Sequence, residues 1–214
     1  MTRVALRQAL VSATCLLFSL GCAPFWNAAR AEPSKSESSR AEKEPTKATR
    51  PLDVWYVATP HDIVDRMLHE AKVRTGDVVY DLGCGDGRMV IAAAKKFGTR
   101  GVGIDLDPAR IKEARANAKA QGVDQLVTFR VADLFETDLR EATVVMLYLL
   151  PEVNRRLKPK LFAELRPGAR VVSHDFDMGR DWPPDRYVKL GSDGLYMWEM
   201  PPLAERPQLA TPAQ

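Results

Sequence analysis

The stretch Val78-Val79-Tyr80-Asp81-Leu82-Gly83-Cys84-Gly85-Asp86-Gly87-Arg88 decides the architecture. Its first five residues have the length and β-branched content of a short buried strand. Glycines at three alternate positions then force a tight turn, and a helical pattern from Arg88 to Phe97 opens behind it, with Gly98 at its end. A strand that runs through glycines into a helix N-terminus lets a ligand approach the backbone closely.

Working outward, the same alternation repeats. Strands are predicted at residues 101–105, 127–132, 142–149 and 169–173, the fourth strand being apolar throughout and therefore central. Helices are predicted at 108–121, closed by Gly122, and at 152–165, interrupted by Pro159. Upstream, Thr59 reads as an N-cap with Pro60 in the first turn, and Ile63, Val64, Met67, Leu68 and Ala71 fall on one helical face. Residues 186–190 and 195–200, joined by Gly191-Ser192-Asp193-Gly194, read as a hairpin. Five β-α units followed by a hairpin predict an α/β fold. It is a Rossmann-like, seven-stranded, mostly parallel sheet with helices on both faces and an antiparallel C-terminal hairpin.

The acids indicate the ligand. A G-x-G-x-G turn alone also suits dinucleotides, but Asp81 and Asp86 flank this one, where a pyrophosphate would be repelled. S-adenosylmethionine presents an ammonium and a sulfonium instead, and both are cationic. Asp105, at the end of the second strand and 20 residues beyond Gly85, is placed to accept from ribose hydroxyls. Asp107 reads as the cap of the next helix. Asp133 can be read as an acceptor for the adenine amino group, with Leu134 on the ring, or as a turn aspartate. Three acids at the carboxyl ends of three consecutive strands converge on one crevice.

The ends of the chain differ from its middle. Arg3 and Arg7 precede a charge-free apolar run from Ala9 to Trp26, and Ala29-Arg30-Ala31 follows as a small-x-small site. Residues 1–31 thus read as a secretory leader, with lipid attachment at Cys22 as the second option and an organellar transit peptide as the third. Export to a periplasmic or membrane-associated location, with membrane proximity through the leader, is the expectation. Residues 32–51 lack large apolar side chains and read as a disordered linker, as does the tail at 204–214; the domain occupies 52–203. Arg3, Arg7 and Arg30 account for the whole net charge of +3, leaving 28 basic against 28 acidic residues. That balance argues against nucleic acid as a partner, since such binding relies on phosphate neutralisation. Cys84 is the one cysteine beyond the leader, which excludes an internal disulfide or a cysteine-based zinc site there. Nothing in the pattern specifies an oligomeric state.

Taken together, these pieces resemble the class I S-adenosylmethionine methyltransferases. Within that class the chain is most similar to the ATP synthase c-subunit lysine N-methyltransferase family and its bacterial relatives. The resemblance rests on Tyr56-Val57-x-Thr59, on D-L-G-x-G-D-G-R at 81–88, on Y-L-L-P at 148–151 and on L-x-P-G-A-R-V-V-S at 165–173. It implies cofactor contacts by Asp81, Gly83, Asp105 and Asp133, with Tyr56 and Thr59 near the methionine end, and a protein lysine as acceptor. The chain departs from the pattern in Cys84, where serine is frequent, and in its leader. Methyl transfer to an amine needs positioning more than a dedicated base. Tyr148 is a candidate to line the amine channel, and His174-Asp175 to relay a proton, although packing and a turn pair are equally natural readings. Trp55 and Trp182-Pro183-Pro184 could form an apolar lip, although ordinary core or loop packing is the more natural reading. A small-molecule or lipid methyltransferase, and a non-catalytic binding module, are the alternatives.

Overall fold

All five residues of β1 (Val78–Leu82) are buried, as befits a strand paired on both edges and covered on both faces. In the computed structural model, which describes residues 57–206, β1 pairs in parallel with β2 (Arg100–Asp105) and β4 (Val144–Leu147). The sheet extends through β3 (Val127–Val131) on one side and through β5 (Arg170–His174) on the other. It closes with the antiparallel β6 (Arg186–Leu190) and β7 (Asp193–Glu199), so that the order is β3-β2-β1-β4-β5-β7-β6. The strand order reverses between β1 and β4, which opens a crevice at their carboxyl ends.

Alternate strand residues feed two cores. Val79, Val144 and Met146 pack with Ile63 and Met67 of α1 (His61–Glu70), Ile91 of α2 (Arg88–Phe97) and Ile111 of α3 (Pro108–Ala120). On the other face Tyr80, Leu82, Val145 and Leu147 join Leu157 and Leu161 of α4 (Pro151–Glu164) and Trp198 of β7. The predicted seven-stranded α/β architecture is the observed one.

Three local expectations are corrected. Pro60, in extended conformation, occupies the N-cap of α1, and Thr59 turns its hydroxyl away. Helix α4 runs through Pro159 without a break. The missing N–H costs about 3 kcal/mol in an exposed helix, but Val153, Leu157, Leu161 and Phe162 bury one face of this one. Strand β4 stops at Leu147, which leaves Tyr148 just beyond the sheet. Trp182 packs in the core, the more natural of its two readings: it is buried between Phe162 and Trp198, with ring centroids 4.3 and 5.4 Å away. Tyr56, Trp55, Cys22, the leader, the linker and the tail beyond Arg206 lie outside the described residues. Among the described residues no helix is long and apolar enough to cross a membrane.

Candidate active site

The glycine turn is closed by hydrogen bonds to β2. Gly83 and Cys84 both donate their N–H to the carbonyl of Ile104, at 2.8 and 2.9 Å. Gly85 donates to Asp105 Oδ2 at 2.9 Å, and Asp107 N donates to the other carboxylate oxygen at the same distance. Asp107 in turn caps α3 by accepting from Ala109 N. At Gly87, φ is +81° and an added Cβ would lie 2.6 Å from the Phe129 ring, so no larger residue fits. Burial pushes the Asp105 carboxyl up, and the two amide donors oppose this.

Asp81, at the end of β1, is only 2% exposed. Burial, then the neighbouring Asp105 and Asp86, raises its pKa to about 8. Such a site lacks one positive charge. An ammonium or sulfonium set against Asp81 would supply it, whereas a pyrophosphate would deepen the repulsion. Two strands away, Asp133 accepts from Phe135 N at 2.9 Å and so shapes the turn after β3, while Leu134 is buried in the α4-side core.

The opposite wall comes from remote parts of the chain. Thr59, Asp81, Gly83, Cys84, Met89 and Tyr148 line one pocket at the crevice. Arg88 forks onto Asp86 and donates Nη1 to the carbonyl of Thr59 at 2.7 Å, which fixes the segment before α1 against the glycine turn. Behind Thr59 and Tyr148 lies His174, 1% exposed. Its Nδ1 is 3.5 Å from Thr59 Oγ1, and the Tyr148 ring lies 4.1 Å away. Its Nε2 is 3.0 Å from Asp193 Oδ1 but 3.5 Å from Asp175, so the carboxylate partner comes chiefly from β7 rather than from the adjacent residue. His174 holds the Asp193 carboxyl below its ordinary range. Burial, then the Asp175 and Asp193 charges, raises the Tyr148 hydroxyl. Asp175 itself has φ +62° and accepts from Gly194 N, which ties the end of β5 to the start of β7.

Sequence reasoning missed Arg88 and Asp193. The arginine stands at the end of the motif itself, but its target, a backbone carbonyl 29 residues upstream, leaves no trace in local spacing. A larger cavity, of about 620 Å3, opens at the other end of the parallel strands beside Arg170 and Trp198; none of the candidate residues lines it.

Residues 81–186 match the family model of the ANTKMT methyltransferase domain. The chain is 50% identical over 138 residues to a protein-lysine N-methyltransferase of Saccharolobus islandicus, covering 64% of this chain and 85% of that protein. It is 34% identical to the ATP synthase c-subunit lysine N-methyltransferase of Xenopus laevis, covering 72% of this chain and 66% of the relative. Among solved structures, an RNA methyltransferase from Salinibacter ruber in complex with S-adenosyl-L-homocysteine superposes with a TM-score of 0.69 at 59% identity. That match covers 71% of this chain and 97% of the other.

Proposed function

This chain belongs to the S-adenosylmethionine-dependent methyltransferases that carry an ANTKMT methyltransferase domain, and on that premise we propose that it methylates lysine side chains of protein. The observation that carries the acceptor class is the acidic charge in and around the pocket. Asp81 and Asp86 line the pocket together with Tyr148, and the charges of Asp175 and Asp193, which do not line it, act on the Tyr148 hydroxyl. A cationic lysine is drawn to such a mouth and a phosphodiester is repelled. The names of the Saccharolobus and Xenopus relatives agree with this reading.

The cofactor supplies a methyl group already activated on a sulfonium. Asp81 would hold its positive charge, Asp105 its ribose hydroxyls and Asp133 its adenine amino group, with Gly83 and Gly85 leaving room at the backbone. Tyr56 and Thr59 fall at its methionine end by resemblance. What the far wall must do is admit an uncharged amine to within about 3–3.5 Å of the methyl group. Thr59 and Tyr148 line the way in.

A second reading is RNA, because the Salinibacter protein carries that name at 59% identity. The acidic mouth, and the balance of 28 basic against 28 acidic residues beyond the leader, favour protein. Isotopically labelled cofactor incubated with host lysate separates these readings. Label is expected on lysine ε-nitrogens by mass spectrometry; label confined to RNA, lipid or metabolite fractions would replace lysine with that acceptor. We propose further that residues 1–31 direct export. Sequencing the native N-terminus tests this: Glu32 is expected, and an intact Met1 overturns it.

A further inference from the structure

We propose that Thr59, His174 and Asp193 form a proton exit path from the acceptor nitrogen to solvent, an inference that rests on the amine-acceptor reading above. The need for a path comes from the chemistry. Free lysine has a pKa near 10.4 and arrives as an ammonium, which has no lone pair with which to attack. Its proton must leave a pocket in which the Thr59 hydroxyl and the Asp81 carboxyl are buried.

Few groups there can take that proton. Asp81 is reserved for the cofactor's positive charge. The Tyr148 hydroxyl is shifted upward and stays protonated. The Thr59 hydroxyl can accept one proton and pass on another. It is 3% exposed, lines the pocket, and lies 3.5 Å from His174 Nδ1. The carboxylate of Asp193 at 3.0 Å sets the tautomer: the proton sits on Nε2, and Nδ1 offers its lone pair to Thr59. The Asp193 side chain is 27% exposed and forms the outlet. The groups facing His174 are Asp193 from β7, Asp175 after β5, Tyr148 after β4 and Thr59 before α1; both charged ones are acids, which stabilise a transient imidazolium. The contact from Thr59 is the loosest in the path, of the kind that tightens once substrate is seated.

Each turnover balances. The ammonium gives a proton to Thr59 Oγ1 as the Thr59 proton passes to His174 Nδ1. His174 Nε2 gives its proton to Asp193, which releases it to water; once product has left, Nδ1 returns a proton through Thr59 to water in the emptied pocket and Nε2 regains one through Asp193, which restores the starting tautomer. The freed nitrogen pair forms the nitrogen–carbon bond while the carbon–sulfur bond breaks, and that electron pair stays on sulfur. One proton leaves per methyl group, and the product nitrogen keeps one positive charge.

The test is the pH–rate profile of the full chain on its labelled protein acceptor. Near pH 7, Thr59→Val, His174→Asn and Asp193→Asn should each lower kcat about 10- to 100-fold. The deficit should shrink toward about pH 10, where lysine deprotonates unaided. Thr59→Ser should keep the wild-type profile, and calorimetric affinity for S-adenosylhomocysteine should stay within about twofold in His174→Asn and Asp193→Asn. A deficit equal at all pH values, no deficit, or failure of serine alongside valine overturns the relay. Should the buried His174→Asn not fold, the more exposed Asp193→Asn decides by the same profile. If wild-type enzyme places no methyl on protein amines, the lysine reading falls and the relay with it. If wild-type methylates lysine and the variants show a pH-independent ratio, the relay falls alone.

Discussion

The two walls of the pocket are built by opposite means. The cofactor wall is local: its turn glycines bond to Ile104 and Asp105, about 20 residues away, across one strand pair. The acceptor wall joins Thr59, Tyr148, His174 and Asp193, and its Thr59–His174 contact spans 115 residues. A local wall is fixed as soon as β1 and β2 pair. A composite wall depends on the register of β5 against β7 and on the placement of α1. One sheet can therefore keep a cofactor site while its acceptor side changes.

Substitutions can break this contrast. The largest expected loss is at the turn: Gly87→Ala forces a Cβ into Phe129 at a positive φ. It should cost roughly 2–4 kcal/mol of stability, read as a fall of several degrees in Tm, with cofactor binding lost as well. Retained stability would show that the cofactor wall is adaptable after all.

Asp81→Asn should weaken cofactor binding by about 2–3 kcal/mol, the scale for losing a charged partner, yet stabilise the free protein. The sign follows from the raised pKa. An acid whose folded pKa exceeds its unfolded one costs nothing below about pH 4. It opposes folding increasingly as pH climbs to about 8. The variant should thus match wild type in a melt near pH 4 and exceed it increasingly as pH rises toward 8, by up to about 5 kcal/mol. Equal melts at both pH values would mean that Asp81 is not held against its will. The smallest effect belongs to the composite wall. Tyr148→Ala should lower turnover about tenfold while calorimetric affinity for the cofactor stays nearly constant; a matching loss of affinity would merge the two walls into one.

Legibility in the sequence follows the same division. Val78–Arg88 announces strand, turn and helix because each step has a local cause, and the hairpin at Gly191 does so through its turn residues. Asp107 reads as a cap for the same reason, and it is one. Thr59 misleads because a threonine before a proline fits a helix start, while its actual partner arrives from β5. Asp193 has the look of an ordinary turn aspartate in Gly-Ser-Asp-Gly; only the pairing of His174 with Leu195 brings it beside the imidazole. Trp182 sits among prolines, which suggests a surface loop, but the two aromatic rings that enclose it come from α4 and β7.

Thr59 is held on two sides, its carbonyl by Arg88 and its hydroxyl beside His174, so the polypeptide enters the fold at the rim of the pocket. The two ties are coupled through one residue: a change at Arg88 that frees the Thr59 carbonyl also shifts the hydroxyl beside His174, so the glycine turn and the far wall share a single fastening.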